Sequence, residues 1–355
     1  LILKLKNQKD KKMNKHLPIS LTGDRPTGPL HIGHLVGSLL NRVAIQDTHQ
    51  SFIMIADAQA YTDNIDNKEK VQKAIFQVVE DYLSVGIDPS KTTIFLQSAI
   101  PELFELTFYF TNFVTVSRLE RNPTIRHEIF QRFTSEKIEM EYIPRNIPTG
   151  FLIYPISQAA DILAFNADIV PVGEDQLPMI EQANEIAASF NRNVGQNILK
   201  TCSPMLSSSA RLPGIDGNSK MGKSLGNTLN LNATNDEIIK TVKKMYTDPN
   251  HLRISDPGKI EGNTVFSYLD AFNHDKNLIL DLKEHYQRGG LGDSSVKKIL
   301  SDTLLEFFEP IQKRRSSIEE EQLKQIIKDG TFYARNIASD TVNKVKKSLG
   351  LGIQF

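Results

Sequence analysis

Residues 22–34 read Thr-Gly-Asp-Arg-Pro-Thr-Gly-Pro-Leu-His-Ile-Gly-His. They follow a short apolar alternation, Leu17, Ile19 and Leu21, of the kind a strand makes. Gly23 ends that run, a Pro/Gly turn follows, and His31 and His34 open a helical pattern. A strand, a glycine turn and a helix N-terminus gather backbone N–H groups and a positive dipole end where a phosphate can sit. Two imidazoles at i and i+3 project from one face of the first helical turn toward that anion. Gly33 between them lets a nucleotide approach the backbone closely. The stretch reads as a nucleotide site inside a strand–turn–helix unit. A metal site would need further His, Cys or carboxylate ligands at matching spacing, and the adjoining helical segment supplies none.

The flanking sequence extends this unit into a sheet. Phe52-Ile53-Met54-Ile55-Ala56 is an unbroken apolar run, as expected of a strand buried on both faces of a parallel sheet. Val71, Ala74, Ile75, Val78, Val79 and Tyr82 then recur at helical spacing and stop before Gly86, a fitting C-terminal glycine. Thr93-Ile94-Phe95-Leu96 is another short strand. Strand–helix–strand alternation predicts an α/β fold, a Rossmann-type doubly wound parallel sheet with ligands at the carboxyl ends of its strands. From Thr234 the pattern changes. Thr234 and Glu237 have capping-box spacing, and helical runs follow at 277–288, 294–315 and 319–349 with no convincing strand. The charge run Lys313-Arg314-Arg315 reads as a solvated helix face more readily than as a phosphate contact.

A second motif lies near residue 220, in Pro-Gly-Ile-Asp-Gly-Asn-Ser-Lys-Met-Gly-Lys-Ser-Leu-Gly-Asn. Lys220 and Lys223 stand in a segment whose glycines (Gly214, Gly217, Gly222, Gly226) oppose a rigid local structure. Two ammonium groups on such a loop suit a task performed only in the transition state. They can close on a triphosphate as negative charge builds on the leaving pyrophosphate.

Composition narrows the class. The chain has 355 residues, enough for two or three packed units, with 42 Lys+Arg against 42 Asp+Glu. No global positive charge announces a nucleic-acid partner, so any such surface must be a local patch. A single cysteine, Cys202, excludes an internal disulfide and a cysteine zinc cluster. No run approaches the roughly 18 apolar residues of a membrane helix, and no signal peptide is recognised. A cytoplasmic enzyme is the expectation. Residues 1–16 read as a disordered N-terminal extension, with Met13 as a natural start within it.

His31-Ile32-Gly33-His34 and Lys220-Met221-Gly222-Lys223-Ser224 resemble the two signature motifs of class I aminoacyl-tRNA synthetases. The second carries glycine at 222 where the usual motif has serine. Tyr154-Pro155-Ile156-Ser157-Gln158-Ala159-Ala160-Asp161, Asp168 to Gln176, and Leu119-Glu120-Arg121 are similar to bacterial tryptophanyl-tRNA synthetases. Tyr246-Thr247-Asp248-Pro249-Asn250 and Gly290-Leu291-Gly292 extend the likeness over nearly the whole chain from Leu17. Pro155 reads as a helix start, with Tyr154 just before it and Gln158 and Asp161 on one face.

The resemblance implies ATP-dependent activation of L-tryptophan and its transfer to tRNA(Trp), with Mg²⁺ accompanying ATP. It implies catalytic roles for His31, His34, Lys220 and Lys223. ATP would be held by Arg25, Pro26, Thr27, Gly33, His34, Gly173, Glu174, Asp175, Leu212 and residues 220–224, that is Lys220, Met221, Gly222, Lys223 and Ser224. Tryptophan would be read by Asp161, Tyr154, Gln158 and Gln176, with no protein-bound metal. It further implies a catalytic domain over 17–224 with a helical insertion at about 100–150. A helical anticodon-binding region would cover 225–355, its last helix returning to the catalytic domain. A homodimer is expected. Two alternatives stand beside this reading. The pattern Tyr154-x-x-x-Gln158-x-x-Asp161 also resembles tyrosyl-tRNA synthetases, and a small-molecule nucleotidylyltransferase would share the histidine motif.

Overall fold

The structure, a computed structural model, describes residues 17–133, 147–206, 212–218, 221–222 and 225–352. The expected N-terminal extension, Lys220, Lys223 and Ser224 lie outside the described residues.

Five parallel strands form one sheet: β1 (Ile19–Asp24), β2 (Gln50–Ile55), β3 (Thr92–Leu96), β4 (Ile169–Val172) and β5 (Ser203–Leu206). Their order is β3-β2-β1-β4-β5, the doubly wound Rossmann-type arrangement the sequence predicts. β1 is its centre. It pairs in full register with β2, Leu21 opposite Phe52 and Asp24 opposite Ile55, and touches β4 on its other side at Ser20 and Ile169. The strand order reverses there, and an open parallel sheet leaves a crevice at such a point beyond the strands' carboxyl ends. Gly23 faces it: a β-carbon at 23 would stand 2.8 Å from the Met54 carbonyl oxygen, so the close approach of β1 and β2 requires glycine.

The first crossover is α1 (Ile32–His34), a π turn over Leu35–Leu39 and α2 (Leu40–Ile45). α3 (Asp57–Asn64) and α4 (Lys68–Val85) follow β2. α4 ends where its apolar period ends, on Gly86 in the left-handed conformation (φ 108°). Beyond β3 come α5 (Pro101–Phe110), α6 (Val116–Glu120), α7 (Pro123–Phe133) and α8 (Thr149–Ala164). α8 corrects one expectation, because Pro155 sits inside the helix and Tyr154 on it, rather than at its start. A buried face carrying Phe151, Tyr154, Ile156, Ala159 and Leu163 outweighs the one backbone bond that proline removes. α9 (Leu177–Val194) completes this half and ends on Gly195.

The remaining elements are helical among the described residues: α10 (Asn235–Lys244), α11 (Thr264–Phe272), α12 (Lys276–Arg288), α13 (Asp293–Arg315) and α14 (Glu320–Ser348). Thr234 caps α10 through a capping box with Glu237, as their spacing requires. α14 returns to the sheet edge. Thr331 Oγ1 accepts from the Leu96 N–H at 3.0 Å, and Tyr333 stacks on Phe52 with ring centroids 6.1 Å apart. Two large apolar clusters result, one joining α4 to α10–α13, the other joining the sheet, α5, α8, α9 and α14.

Candidate active site

The crevice at the strand-order reversal is a cleft of about 1320 Å³. It is lined by Gly23 and Asp24 from the end of β1, by Val172 and Gly173 from the end of β4, and by His31 and His34 from α1.

His31 occupies the N-cap of α1, and its Nδ1 accepts from the Gly33 N–H at 3.1 Å. His34 reaches back, its Nδ1 accepting from the His31 N–H at 3.2 Å. This is a capping box built from two imidazoles, with ring centroids 3.8 Å apart. With each Nδ1 accepting a backbone N–H, Nε2 is the ring nitrogen left to donate at the cleft wall. The π turn that follows widens the helix directly behind them, as single π turns do at functional sites.

Behind the histidines lies a buried ionic knot. Asp24 Oδ2 accepts from Arg42 Nη1 at 2.6 Å and from the Tyr82 hydroxyl at 2.6 Å. Burial alone would raise the Asp24 carboxyl, but the Arg42 guanidinium overrides it and lowers the group to about 2. Asp81, also buried, accepts from the Leu30 N–H at 2.6 Å and pairs with Arg315 of α13. Burial pushes Asp81 up to about 6 although Arg315 pulls the other way. Arg315 also pairs with Glu80 at 2.5 Å, and Arg314 Nε donates to the Ser84 carbonyl at 2.6 Å. Arg314 and Arg315 therefore clamp α13 to α4 and brace the backbone just before His31, which corrects the solvated-face reading. A run of charges carries no record of an acidic partner some 230 positions earlier.

The opposite wall is apolar, with Leu21, Met54, Ile162 and Val170, and holds one buried carboxylate. Asp161, 1% exposed, lines the cleft from α8. Its Oδ2 accepts from Gln97 Nε2 at 2.9 Å, while Oδ1 is buried without a hydrogen-bond partner among the described residues. Burial lifts this carboxyl to about 7, with Gln97 pulling it down in part. An unpartnered buried acceptor in an apolar slot calls for a donor on an otherwise greasy ligand. Gln158 and Gln176 also line the cleft; Gln158 Nε2 donates to Gln176 Oε1 at 3.3 Å, and Gln176 Nε2 to Asp175 Oδ2 at 2.9 Å.

Of the other expected residues, Arg25, Thr27, Gly173 and Asp175 line the cleft. Pro26, Glu174 and Tyr154 do not. Tyr154 packs in a small separate cluster with Ile125, Ile129, Phe151 and Met179. Leu212 is buried in the larger core. Of the second motif, Met221 and Gly222 are described, and the chain just beyond it runs beside the first motif. Ile32 N–H donates to the Leu229 carbonyl at 2.8 Å and Leu231 N–H to the Leu30 carbonyl at 2.9 Å, strapping residues 229–231 along the histidine segment. The Gly222 N–H donates to Asn227 Oδ1 at 2.9 Å, and Asn227 Nδ2 to Asp216 Oδ1 at 3.0 Å. Met221 lies against Gly33. Gln97, Asp81 and Asn227 were not singled out from sequence. Only Gln97 carries a signal, standing immediately after a parallel strand at its carboxyl end.

Residues 13–309 match the family described as tRNA synthetases class I (W and Y). A Rossmann-type sheet, a histidine pair at the switch point and Met221 of the second motif against Gly33 fit the class that this match defines: a class I aminoacyl-tRNA synthetase of the tryptophan and tyrosine branch. The tryptophan–tRNA ligase of Clostridium longisporum is 52% identical, the match covering 94% of this chain and 97% of that one. That of Streptococcus mutans is 51% identical over 94% and 98%. The chain belongs to the tryptophanyl-tRNA synthetase family. A solved tryptophanyl-tRNA synthetase from Campylobacter jejuni, complexed with ADP and tryptophan, superposes with a TM-score of 0.79 at 29% identity. The match covers 94% of this chain and all of that one.

Proposed function

We propose that the cleft activates L-tryptophan with ATP to tryptophanyl-adenylate and then transfers the aminoacyl group to tRNA(Trp), releasing first diphosphate and then AMP. In the first step a carboxylate oxygen of tryptophan attacks the α-phosphorus of ATP, and the bond from that phosphorus to the bridging oxygen of the leaving diphosphate breaks. No protein nucleophile takes part. The protein's contribution is placement and charge neutralisation. His31 and His34, as Nε2 donors, stabilise charge on the phosphate oxygens, and Lys220 and Lys223 take up charge on the departing diphosphate. Arg25, Thr27, Gly33, Gly173 and Asp175 surround the nucleotide. Asp161 accepts the indole N–H, and Gln158 and Gln176 take the α-amino group.

Mg²⁺ belongs to this proposal as the companion of the triphosphate. Such an ion is held largely by phosphate oxygens and water, so it does not need a protein cage. No three His, Cys, Asp or Glu side chains converge as one among the described residues. A homodimer is supported by Phe104, Phe108 and Val116, which stand exposed on the segment after β3. Cytoplasmic operation is consistent with tRNA as substrate.

The single observation that carries the tryptophan assignment is the buried Asp161 Oδ1, without a hydrogen-bond partner among the described residues, in an apolar wall of the cleft that holds the histidines. Its test is equilibrium dialysis of Asp161→Asn with each ligand. Tryptophan affinity should fall about ten- to a hundredfold, the worth of a buried charged hydrogen bond, and ATP affinity should hold. Equal losses for both ligands would reject the assignment.

A further inference from the structure

We infer that Gln97 is a specificity-determining positioning residue: by donating to one oxygen of Asp161 it fixes the other as an acceptor toward the ring of the bound amino acid. This rests on the proposed role of Asp161.

Gln97 is 1% exposed and follows β3 directly. Its orientation is settled by its other partner. The Gln59 backbone N–H donates to Gln97 Oε1 at 3.0 Å, so the amide oxygen faces α3 and the amide nitrogen faces Asp161. The turn is pinned as well. Ser98 donates from its N–H at 2.9 Å and its hydroxyl at 2.5 Å to the two carboxylate oxygens of Asp57, in the first turn of α3. A chain of fixed polarity therefore runs from the α3 backbone through Gln97 to the carboxylate.

That polarity has a chemical consequence. With Oδ2 already receiving an N–H, a proton on the carboxyl group is steered to Oδ1, where it would turn the acceptor into a donor. Gln97 favours the ionised form, in which Oδ1 accepts only. Among the described residues no charged neighbour does this work; burial and Gln97 act on the group. An indole N–H, which can only donate, is matched by that state. A ring of the same shape with sulfur in place of the N–H leaves a buried acceptor unpaired.

The test compares Gln97→Leu, Gln97→Glu and wild type in tryptophan-dependent exchange of labelled pyrophosphate into ATP. A second series uses the benzothiophene analogue of tryptophan. Leucine removes the donor, and glutamate sets two carboxyl groups to share one proton. Either change should raise the KM for tryptophan about tenfold or more, leaving the KM for ATP within about twofold. Preference for the indole over the benzothiophene should collapse toward unity. The pH midpoint of kcat/KM for tryptophan should move up by about one unit or more. A role in packing alone would lower thermal stability and leave preference and midpoint at wild-type values, and that result in either variant overturns the inference. The glutamate variant keeps the side-chain shape, so the test survives if the leucine variant does not fold. Asp161→Asn separates the two levels. If it retains the indole preference, the role of Asp161 itself is wrong. If it loses the preference while both Gln97 variants keep it, only the role of Gln97 fails.

Discussion

The sulfur of Met221 rests over Gly33: a β-carbon added at residue 33 would stand 2.9 Å from Met221 Sδ and 2.9 Å from His31 Cε1. The middle of the second motif thus touches the middle of the first, almost 190 positions away in the chain. Gly33→Ala must displace either the thioether or the capping imidazole. Misplacing a catalytic group by about an ångström costs on the order of a hundredfold in rate, and adenylate formation should fall by ten- to a hundredfold. Shortening residue 221 gives the methyl room, so Gly33→Ala/Met221→Ala should regain part of the loss. A single variant with wild-type rate would show that the two motifs do not pack as described.

Lys223→Ala bears on the transition state. An ammonium group that engages only the leaving diphosphate contributes to rate and not to ground-state binding. Stopped-flow adenylate formation should slow by about two or more orders of magnitude, with the tryptophan dissociation constant unchanged within about twofold. Comparable losses in both would assign Lys223 to binding.

The buried carboxyl of Asp161 makes a prediction about pH. Burial raises it from its ordinary 3.8 to about 7. A folded value above the unfolded one means the native state holds more protons between those limits. Stability is then greatest below 3.8 and declines as pH rises through about 7, by an amount of order 4 kcal/mol. Asp161→Asn removes the titration and keeps the shape. It should unfold at a higher temperature than wild type at pH 8, and this advantage should vanish near pH 4. Tryptophan binding runs the opposite way, tightening as pH rises through 7, because only the ionised group accepts the indole proton. Chemical denaturation and ligand dialysis at the two pH values check both signs.

Gly330 tests the return of α14 to the sheet. A β-carbon there would run into the Ile94 carbonyl oxygen, and backbone lies on both sides of the contact. Gly330→Ala would gain about 1 kcal/mol of helix propensity in isolation, yet overpacking of this kind costs about 1–3 kcal/mol. The variant should melt several degrees lower; a higher melting temperature would place α14 off the β3 edge.

What was legible in the sequence depended on how local its cause is. Strands β1–β3 and the Gly86 and Thr234 caps follow from apolar period and capping chemistry within a dozen residues. His31, His34, Asp161, Gln158 and Gln176 were legible as motifs, and they converge on one cleft. Residues whose role is set by distant partners were not. Gln97 acquires its meaning from Asp161, and Arg315 from Asp81 and Leu30. Tyr154 was assigned to the substrate by its place in a motif, but on a helix that begins at Thr149 it turns into a separate apolar cluster. The π turn at Leu35–Leu39 has no marker in a sequence that reads as continuous helix.

The most direct measurement is the exchange of radiolabelled pyrophosphate into ATP by the full chain, with each of the twenty amino acids supplied in turn. Tryptophan alone should drive exchange well above background, because only its side chain brings a lone N–H donor on a large apolar plate to Asp161. Exchange driven by tyrosine instead, or by no amino acid at all, would contradict the reading of that carboxylate and of the cleft around it.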